Sequence, residues 1–138
     1  MNGSFAGDIT ATAAWEGLAG TADAVLLDVR TQPEWVFVGV PEVSGCDKTL
    51  VQVSWQLFPT MARNPNFVAD LLAKGVNQSR PVYLICRSGV RSRAAAEFLA
   101  QHGYTTYNIL DGFEGQLDAH GHRGAGGWKA LGLPWKQS

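Results

Sequence analysis

The residues best suited to covalent chemistry lie in one short segment, Cys-Arg-Ser-Gly-Val-Arg-Ser-Arg at residues 86–93. Cys86 follows the apolar run Val82–Ile85, which predicts a buried strand, and it precedes a segment with helical periodicity. Four arginines and no carboxylate occur between residues 80 and 93. Because a helix N-terminus and nearby cations both favour a thiolate over a thiol, the sequence predicts that Cys86 is a nucleophile at neutral pH.

The loop that follows Cys86 is expected to bind an anion. Ser88 and Gly89 allow backbone N–H groups to turn inward, as they do where helix N-termini bind phosphate-like groups. Arg87 and Arg91 lie inside this loop. Arg93 is expected to point to solvent from the first helical turn. The predicted active-site loop therefore consists of Cys86, Arg87, Ser88, Gly89, Val90 and Arg91.

The spacing of the arginines separates two kinds of chemistry. In cysteine phosphatases an arginine stands six positions after the cysteine, and in this chain that position is Ser92. The loop from Cys86 to Arg91 has six residues, which favours a small group, such as one sulfur atom, over a phosphoryl group. A phosphatase or an arsenate reductase with the same loop is therefore the less favoured alternative.

Strand and helix patterns alternate along the chain, which predicts an α/β fold with a parallel sheet and helices on both faces. Ligand sites in such sheets form at the carboxyl ends of the strands, where the pattern places both Asp28 and Cys86. Strands are predicted over residues 24–27, 49–53, 81–85 and 105–110, and helices over 10–19, 66–73 and 92–102, the last beginning between Val90 and Ser92.

Composition limits the possible functions. A chain of 138 residues that is 46% hydrophobic and 17% charged predicts one globular domain, residues 1–138. The glycines and tryptophans over residues 119–138 predict a glycine-rich loop and a docked tail. A net charge of −1 argues against nucleic-acid or anionic-membrane partners. No apolar run approaches the ~18 residues of a membrane span. The absence of a signal sequence and of a disulfide framework predicts a cytoplasmic protein.

Taken together, these motifs resemble those of the single-domain rhodaneses, the thiosulfate sulfurtransferases. The loop at residues 86–92 carries the resemblance most specifically, and Ala94–Ala96 follow it as in that family. Leu-Asp-Val-Arg at residues 27–30, followed by Glu34 and Trp35, is similar to the family's Asp-Val-Arg…Glu motif, and residues 103–113 are similar to its Gly-Tyr…Gly-Gly-Phe stretch. The resemblance covers roughly residues 8–118. It departs at residues 39–43, where many members have Gly-His-Ile-Pro-Gly-Ala and this chain has no histidine.

The resemblance implies a rhodanese-like fold, with a central parallel sheet of about five strands flanked by helices on both faces. It also implies ping-pong transfer of a sulfane sulfur from a donor such as thiosulfate to cyanide or a thiol, through a persulfide on Cys86, with no cofactor. In that mechanism Arg87 and Arg91 are expected to hold the anionic donor. The resemblance places the core of the domain over about residues 8–118. A sulfur-accepting protein is a further possible partner, and a relay module that acts only with such a partner is the alternative. Asp28 and Arg30 are expected either to brace the neighbouring loop as an ion pair or to bring Arg30 to the substrate.

For most other residues that could bind a metal or react, no catalytic role is predicted. Cys46 lies in a predicted exposed loop and is expected to be a spectator thiol, with a resolving role for Cys86 as the alternative. His120 and His122 lack neighbouring carboxylates or thiols, so no metal site is predicted. Trp35, close to the Asp-Val-Arg motif, is a candidate for the mouth of the site.

Overall fold

The centre of the fold is a parallel five-stranded sheet in the order β1-β8-β7-β2-β4. The computed structural model describes residues 5–48, 50–87, 89–115 and 127–136. Its strands are β1 (Phe5–Ile9), β2 (Val25–Asp28), β3 (Val40–Pro41), β4 (Leu50–Gln52), β5 (Gln56–Leu57), β6 (Ala62–Arg63), β7 (Val82–Ile85), β8 (Thr106–Ile109) and β9 (Trp135–Lys136).

Helices cover both faces of this sheet, which confirms the predicted layers. On one face α3 and α4 contribute Phe67, Leu71 and Leu99 to a buried cluster, and on the other α1 contributes Leu18 and α5 contributes Trp128. The helices are α1 (Ala11–Gly20), α2 (Gln32–Phe37), α3 (Phe67–Ala73), α4 (Val90–Gln101) and α5 (Gly127–Ala130).

The predicted strands and helices are all present, with small shifts at their ends. Strands β2 and β7 are buried at every residue, as expected for strands covered by helices on both faces. The predicted helix over 92–102 begins at Val90, because Gly89 at its N-cap has a φ of 105° and turns the chain into the helix. A Cβ at Gly89 would also lie 3.3 Å from the Asp111 nitrogen.

Two elements next to the site were not predicted from the sequence. Strand β1 is an edge strand whose residues alternate between half-buried and exposed, so its apolar signal is weak. Helix α2 has only six residues and no buried one, so it lacks an apolar face. It begins instead with a capping box between Thr31 and Glu34.

The described part of the C-terminal tail packs against the domain. Trp128 is fully buried, and its indole N–H donates to the Pro134 carbonyl. Strand β9 pairs antiparallel with β3. Within the described residues, no helix is both long enough and apolar enough to cross a membrane.

Candidate active site

Cys86 lies directly after the central strand β7 and just before α4, with 1% of its surface exposed. The backbone N–H groups of Gly89 and Ser92 donate to its Sγ at 3.2 and 3.3 Å. Two N–H donors and a helix N-terminus converge on this sulfur, so negative charge on it is stabilised.

A tight contact from the segment after the neighbouring strand β8 holds the base of this loop. Gly112 has a φ of 58°, and a Cβ there would come within 2.4 Å of the Cys86 carbonyl oxygen. The backbone N–H groups of Phe113 and Glu114 donate to the carbonyls of Cys86 and Arg87 at 2.8 and 2.9 Å. The segment after β8 therefore fixes the chain on both sides of the sulfur atom.

Two buried polar side chains complete the sulfur's surroundings, and the sequence analysis assigned neither to the site. The Ser92 hydroxyl lies 3.2 Å from Cys86 Sγ and forms a short hydrogen bond with Asn108 Oδ1. Ser92 is fully buried and Asn108 is 1% exposed. An amide side chain in the middle of the predicted strand over residues 105–110, where its polar groups need partners, was the signal that could have identified Asn108.

Asn108 connects the sulfur to the edge of the sheet. Its Nδ2 donates to Asp8 Oδ1 at 2.8 Å and to the Gly89 carbonyl at 3.1 Å. The other oxygen of Asp8 accepts from Arg93 Nη1 at 3.0 Å. The Arg93 side chain is about half-exposed, as expected for a residue that points to solvent. It also forms an ion pair with Glu97.

Arg91 is held by a carboxylate that the sequence analysis did not connect to it. Its Nη1 and Nη2 donate to the two oxygens of Glu34 on α2 at 2.7 and 2.8 Å. Burial acts to raise the pKa of Glu34, but the hydrogen bonds and charge of Arg91, with those of Thr31, outweigh it and lower the pKa to about 2. Hydrogen bonding to Glu34 in turn raises the pKa of Arg91.

Arg87 points outward from the other side of the loop. Its side chain is 46% exposed, and its Nε lies 3.1 Å from Glu114 Oε2. Ser88 lies outside the described residues, and Val90 is 74% exposed at the first position of α4. The two arginines expected to hold an anion therefore flank the loop, each beside a carboxylate.

Asp28 and Arg30 form a fully buried ion pair beside the site. Arg30 Nε and Nη2 donate to the Asp28 carboxylate at 2.9 and 2.7 Å, and Nη2 also donates to the Gly39 carbonyl at 2.7 Å. The guanidinium stacks 4.5 Å from the centre of the Phe113 ring. Because Asp28 is paired in register with Ile85, this ion pair braces the strand end from which Cys86 emerges.

Two buried donors near this pair lack partners among the described residues. They are Arg30 Nη1 and the indole Nε1 of Trp35. An unpaired donor does not identify a ligand, so the predicted contacts of Arg30 and Trp35 with substrate stay predictions.

The second thiol has different surroundings. Cys46 lies in a single turn of 3₁₀ helix, half-buried, and its Sγ–H donates to the Val43 carbonyl at 3.3 Å. Burial raises the pKa of this thiol. Both cysteines are free. No cluster suited to a metal ion occurs within the described residues, and His120 and His122 lie outside them.

The comparisons with known proteins agree with this architecture. A family model described as the STR4 middle domain matches residues 6–138. The crystal structure of Rv0390 from M. tuberculosis is 51% identical, with a TM-score of 0.88, and the match covers 98% of this chain and 100% of that chain. A rhodanese-like domain protein from Staphylococcus aureus is 18% identical, with a TM-score of 0.56 and coverage of 95% and 97%, and supports the rhodanese-like fold.

Curated sequences give two further relatives. The uncharacterized protein RP600 of Rickettsia prowazekii is 37% identical over 132 residues, which cover 94% of this chain and 96% of the relative. The thiosulfate sulfurtransferase GlpE of Actinobacillus succinogenes is 28% identical over 128 residues, which cover 92% of this chain and 87% of the relative.

Proposed function

We propose that this chain, which belongs to the STR4 middle domain family, is a sulfurtransferase in which Cys86 carries the transferred sulfur as a persulfide. The observation that carries the proposal is the pair of backbone N–H groups, from Gly89 and Ser92, that donate to Cys86 Sγ at the start of α4. Donors aimed at a sulfur atom stabilise it as an anion, and an anionic sulfur is the nucleophile that sulfur transfer requires.

In the first half-reaction the Cys86 thiolate attacks the outer sulfur of thiosulfate. The sulfur–sulfur bond of the donor breaks, its electron pair leaves with sulfite, and the new bond leaves a persulfide anion on Cys86. No proton is consumed, and the charge is balanced. The backbone N–H groups at the start of α4, those of Gly89 and Ser92, are proposed to stabilise the negative charge of this persulfide.

In the second half-reaction a nucleophile attacks that terminal sulfur. Cyanide would leave as thiocyanate, and a thiolate would leave as a new persulfide. The electron pair of the broken bond returns to Cys86 Sγ and regenerates the thiolate. Cytoplasmic thiols, or a sulfur-accepting protein, are the proposed physiological acceptors.

The flanking arginines are assigned to the donor. Arg87 is the more exposed of the two and is proposed to contact the sulfonate oxygens directly. Arg91 acts from a fixed position, because Glu34 holds its guanidinium at two points. Ser88, Gly89 and Val90 are the remaining residues of the proposed loop. The Asp28–Arg30 pair braces the strand end that precedes it.

The relatives support the same class of chemistry. The GlpE relative is named a thiosulfate sulfurtransferase. Against a phosphatase stands Ser92, which occupies the position of the phosphatase arginine and contacts the sulfur with its own hydroxyl.

Intact mass after incubation with thiosulfate tests the proposal. We expect one added sulfur, about 32 Da, on the wild-type chain and none on Cys86→Ser, as a covalent intermediate on that residue requires. The Cys46→Ser variant is the matched control and keeps the adduct. A wild-type chain that gains no mass would reject the sulfurtransferase, and an aryl phosphate turned over faster than thiosulfate with cyanide would favour the phosphatase.

A further inference from the structure

The hydroxyl of Ser92 has one hydrogen and two acceptors within reach. Cys86 Sγ lies 3.2 Å from Ser92 Oγ, and Asn108 Oδ1 lies at short hydrogen-bond distance on the other side. All three residues are buried. Since one hydroxyl donates one hydrogen bond, it serves either the sulfur or the amide oxygen, but not both at once.

The neighbours of Asn108 fix the orientation of its amide. Its Nδ2 faces two acceptors, Asp8 Oδ1 at 2.8 Å and the Gly89 carbonyl at 3.1 Å. The flipped amide would place an oxygen against both of these acceptors. Asn108 Oδ1 therefore always faces Ser92 and competes for its hydrogen.

The outcome of this competition depends on the charge of the sulfur. When Cys86 is a thiol, its S–H donates to Ser92 Oγ, and the Ser92 hydroxyl donates to Asn108. When the sulfur is an anion, it is the stronger acceptor, because hydrogen bonds to charged groups are about twice as strong as neutral ones.

We propose that the Ser92 hydroxyl is a hydrogen-bond switch that follows the charge on Cys86, and that Asn108 is the positioning residue that draws the hydroxyl away when the charge is gone. This inference rests on the proposed function of Cys86 as the sulfur carrier. It adds a third donor to the sulfur beyond the two backbone N–H groups.

The switch acts at a defined point of the reaction. In the persulfide, Sγ is bonded to the second sulfur and carries little charge, so the hydroxyl points to Asn108. As the acceptor takes the outer sulfur, the electron pair of the broken bond moves onto Sγ, and the hydroxyl turns to it. Ser92 thereby stabilises the leaving thiolate as its charge develops.

Other charges surround the sulfur and have to stay constant in any test. The proposed substitutions leave four ion pairs among these charges in place, Asp28–Arg30, Arg87–Glu114, Arg91–Glu34 and Arg93–Asp8. Asp111, after β8, is a further charge near the loop.

The test is a pH titration of thiolate absorbance in the ultraviolet, in a Cys46→Ser background where Cys86 is the single thiol. We expect Ser92→Ala to raise the midpoint by about one pH unit, because the thiolate loses a donor. Asn108→Leu is expected to lower it by roughly half a unit, because the competing acceptor is gone. In the Ser92→Ala background the same Asn108 substitution is expected not to lower the midpoint, since no hydroxyl remains to be drawn away and only the donors to Asp8 and Gly89 are lost.

The matched control removes another buried hydroxyl between the same strand and helix. Thr106 donates to the Ala96 carbonyl at 2.8 Å, and Thr106→Val is expected to leave the midpoint unchanged. A Ser92→Ala midpoint that stays or falls would overturn the switch, and so would an Asn108→Leu shift of equal size in both backgrounds, which marks a purely structural role. If Asn108→Leu does not fold, Asn108→Ala takes its place in the cycle.

A kinetic measurement separates the switch from the sulfurtransferase itself. Ser92→Ala is expected to slow the discharge of preformed persulfide to cyanide by about tenfold, the size of one charge-assisted hydrogen bond. The titration uses neither donor nor acceptor. If the effect of Asn108→Leu on the midpoint depends on Ser92 but no persulfide forms, the sulfurtransferase is rejected and the hydrogen-bond switch is kept. If a persulfide forms but the Asn108→Leu effect does not depend on Ser92, the switch alone is rejected.

Discussion

Cys86 and Cys46 are both free thiols, yet the hydrogen bonds around their sulfur atoms run in opposite directions. Cys86 Sγ accepts from two backbone N–H groups, whereas Cys46 Sγ donates to a backbone carbonyl. An N–H group aimed at sulfur stabilises the thiolate, and a carbonyl oxygen stabilises the thiol. Cys86 is the more buried of the two, yet its position at a helix N-terminus gives its sulfur donors that stabilise an anion.

The carboxylates near the two cysteines differ in their burial. Behind Cys86, Asp28 is fully buried against Arg30. Beside Cys46, Asp47 is exposed in a left-handed turn with a φ of 60°. The first region is built from long-range contacts, and the second is a local turn at the surface.

The largest expected difference between the two regions is in catalysis. Cys86→Ser is expected to lower thiosulfate:cyanide turnover by at least ~10³-fold, because the nucleophile is lost. Cys46→Ser is expected to retain the wild-type rate. Steady-state assays of both variants decide the comparison, and a loss of activity in Cys46→Ser would give that thiol the resolving role instead.

The next effect is on stability. Asp28→Asn leaves the Arg30 guanidinium buried without its counter-charge, which is expected to cost about 3–5 kcal/mol of unfolding free energy. Asp47→Asn makes the same chemical change at an exposed turn that asparagine tolerates, and is expected to stay within about 0.5 kcal/mol. Urea denaturation measures both. Equal losses in the two variants would show that the buried pair does not set the strength of this region.

Acid sensitivity is expected to be greater on the Cys86 side. Glu34 and Glu42 both have a pKa lowered from 4.5 to about 2, the first by Arg91 and Thr31 against burial, and the second chiefly by the backbone and hydroxyl of Ser44. A lowered folded-state pKa contributes stability that is full above pH 4.5 and is lost as the pH falls toward 2. For the half-buried Glu34, solvent screening reduces this contribution to about 1–2 kcal/mol.

Unfolding free energies between neutral pH and pH 3 therefore distinguish two glutamine variants. In Glu34→Gln the loss of unfolding free energy between neutral pH and pH 3 is expected to be smaller than in the wild type by most of that contribution of about 1–2 kcal/mol. Glu42→Gln is expected to change it less, because the Glu42 side chain is more exposed to solvent than that of Glu34. An unchanged profile in Glu34→Gln would mean that its pair with Arg91 is weaker than the geometry indicates.

The smallest effect concerns the cations next to the two sulfurs. Arg91→Ala is expected to raise the KM for thiosulfate by about tenfold while Lys48→Ala leaves it unchanged, since only the former cation lies in the loop proposed to bind the anionic donor. Arg91→Lys keeps the charge but loses the two-point contact with Glu34, so an intermediate KM is expected. Equal KM values in all three variants would leave Arg91 as a structural residue.

Local signals explain which parts of the fold were predictable. Strand β7 and helix α4 carry continuous apolar or periodic patterns, and glycines stand at the N-cap of α4 and just beyond its end. The cysteine between them was predictable for the same reason. Strand β1 and helix α2 carry no such pattern, because one is a half-buried edge and the other has no buried residue.

Four of the five sheet strands, three of the helices, the position of Cys86 after a buried strand and the spacing that puts Ser92 six positions beyond it were predictable from the sequence. The contacts among the side chains at the site depend on the tertiary structure. Glu34 pairs with Arg91 across 57 positions, and Asp8 pairs with Asn108 across 100. Periodicity and propensity act over a few residues, whereas these contacts arise when the parallel sheet brings together strands and helices that are distant in sequence.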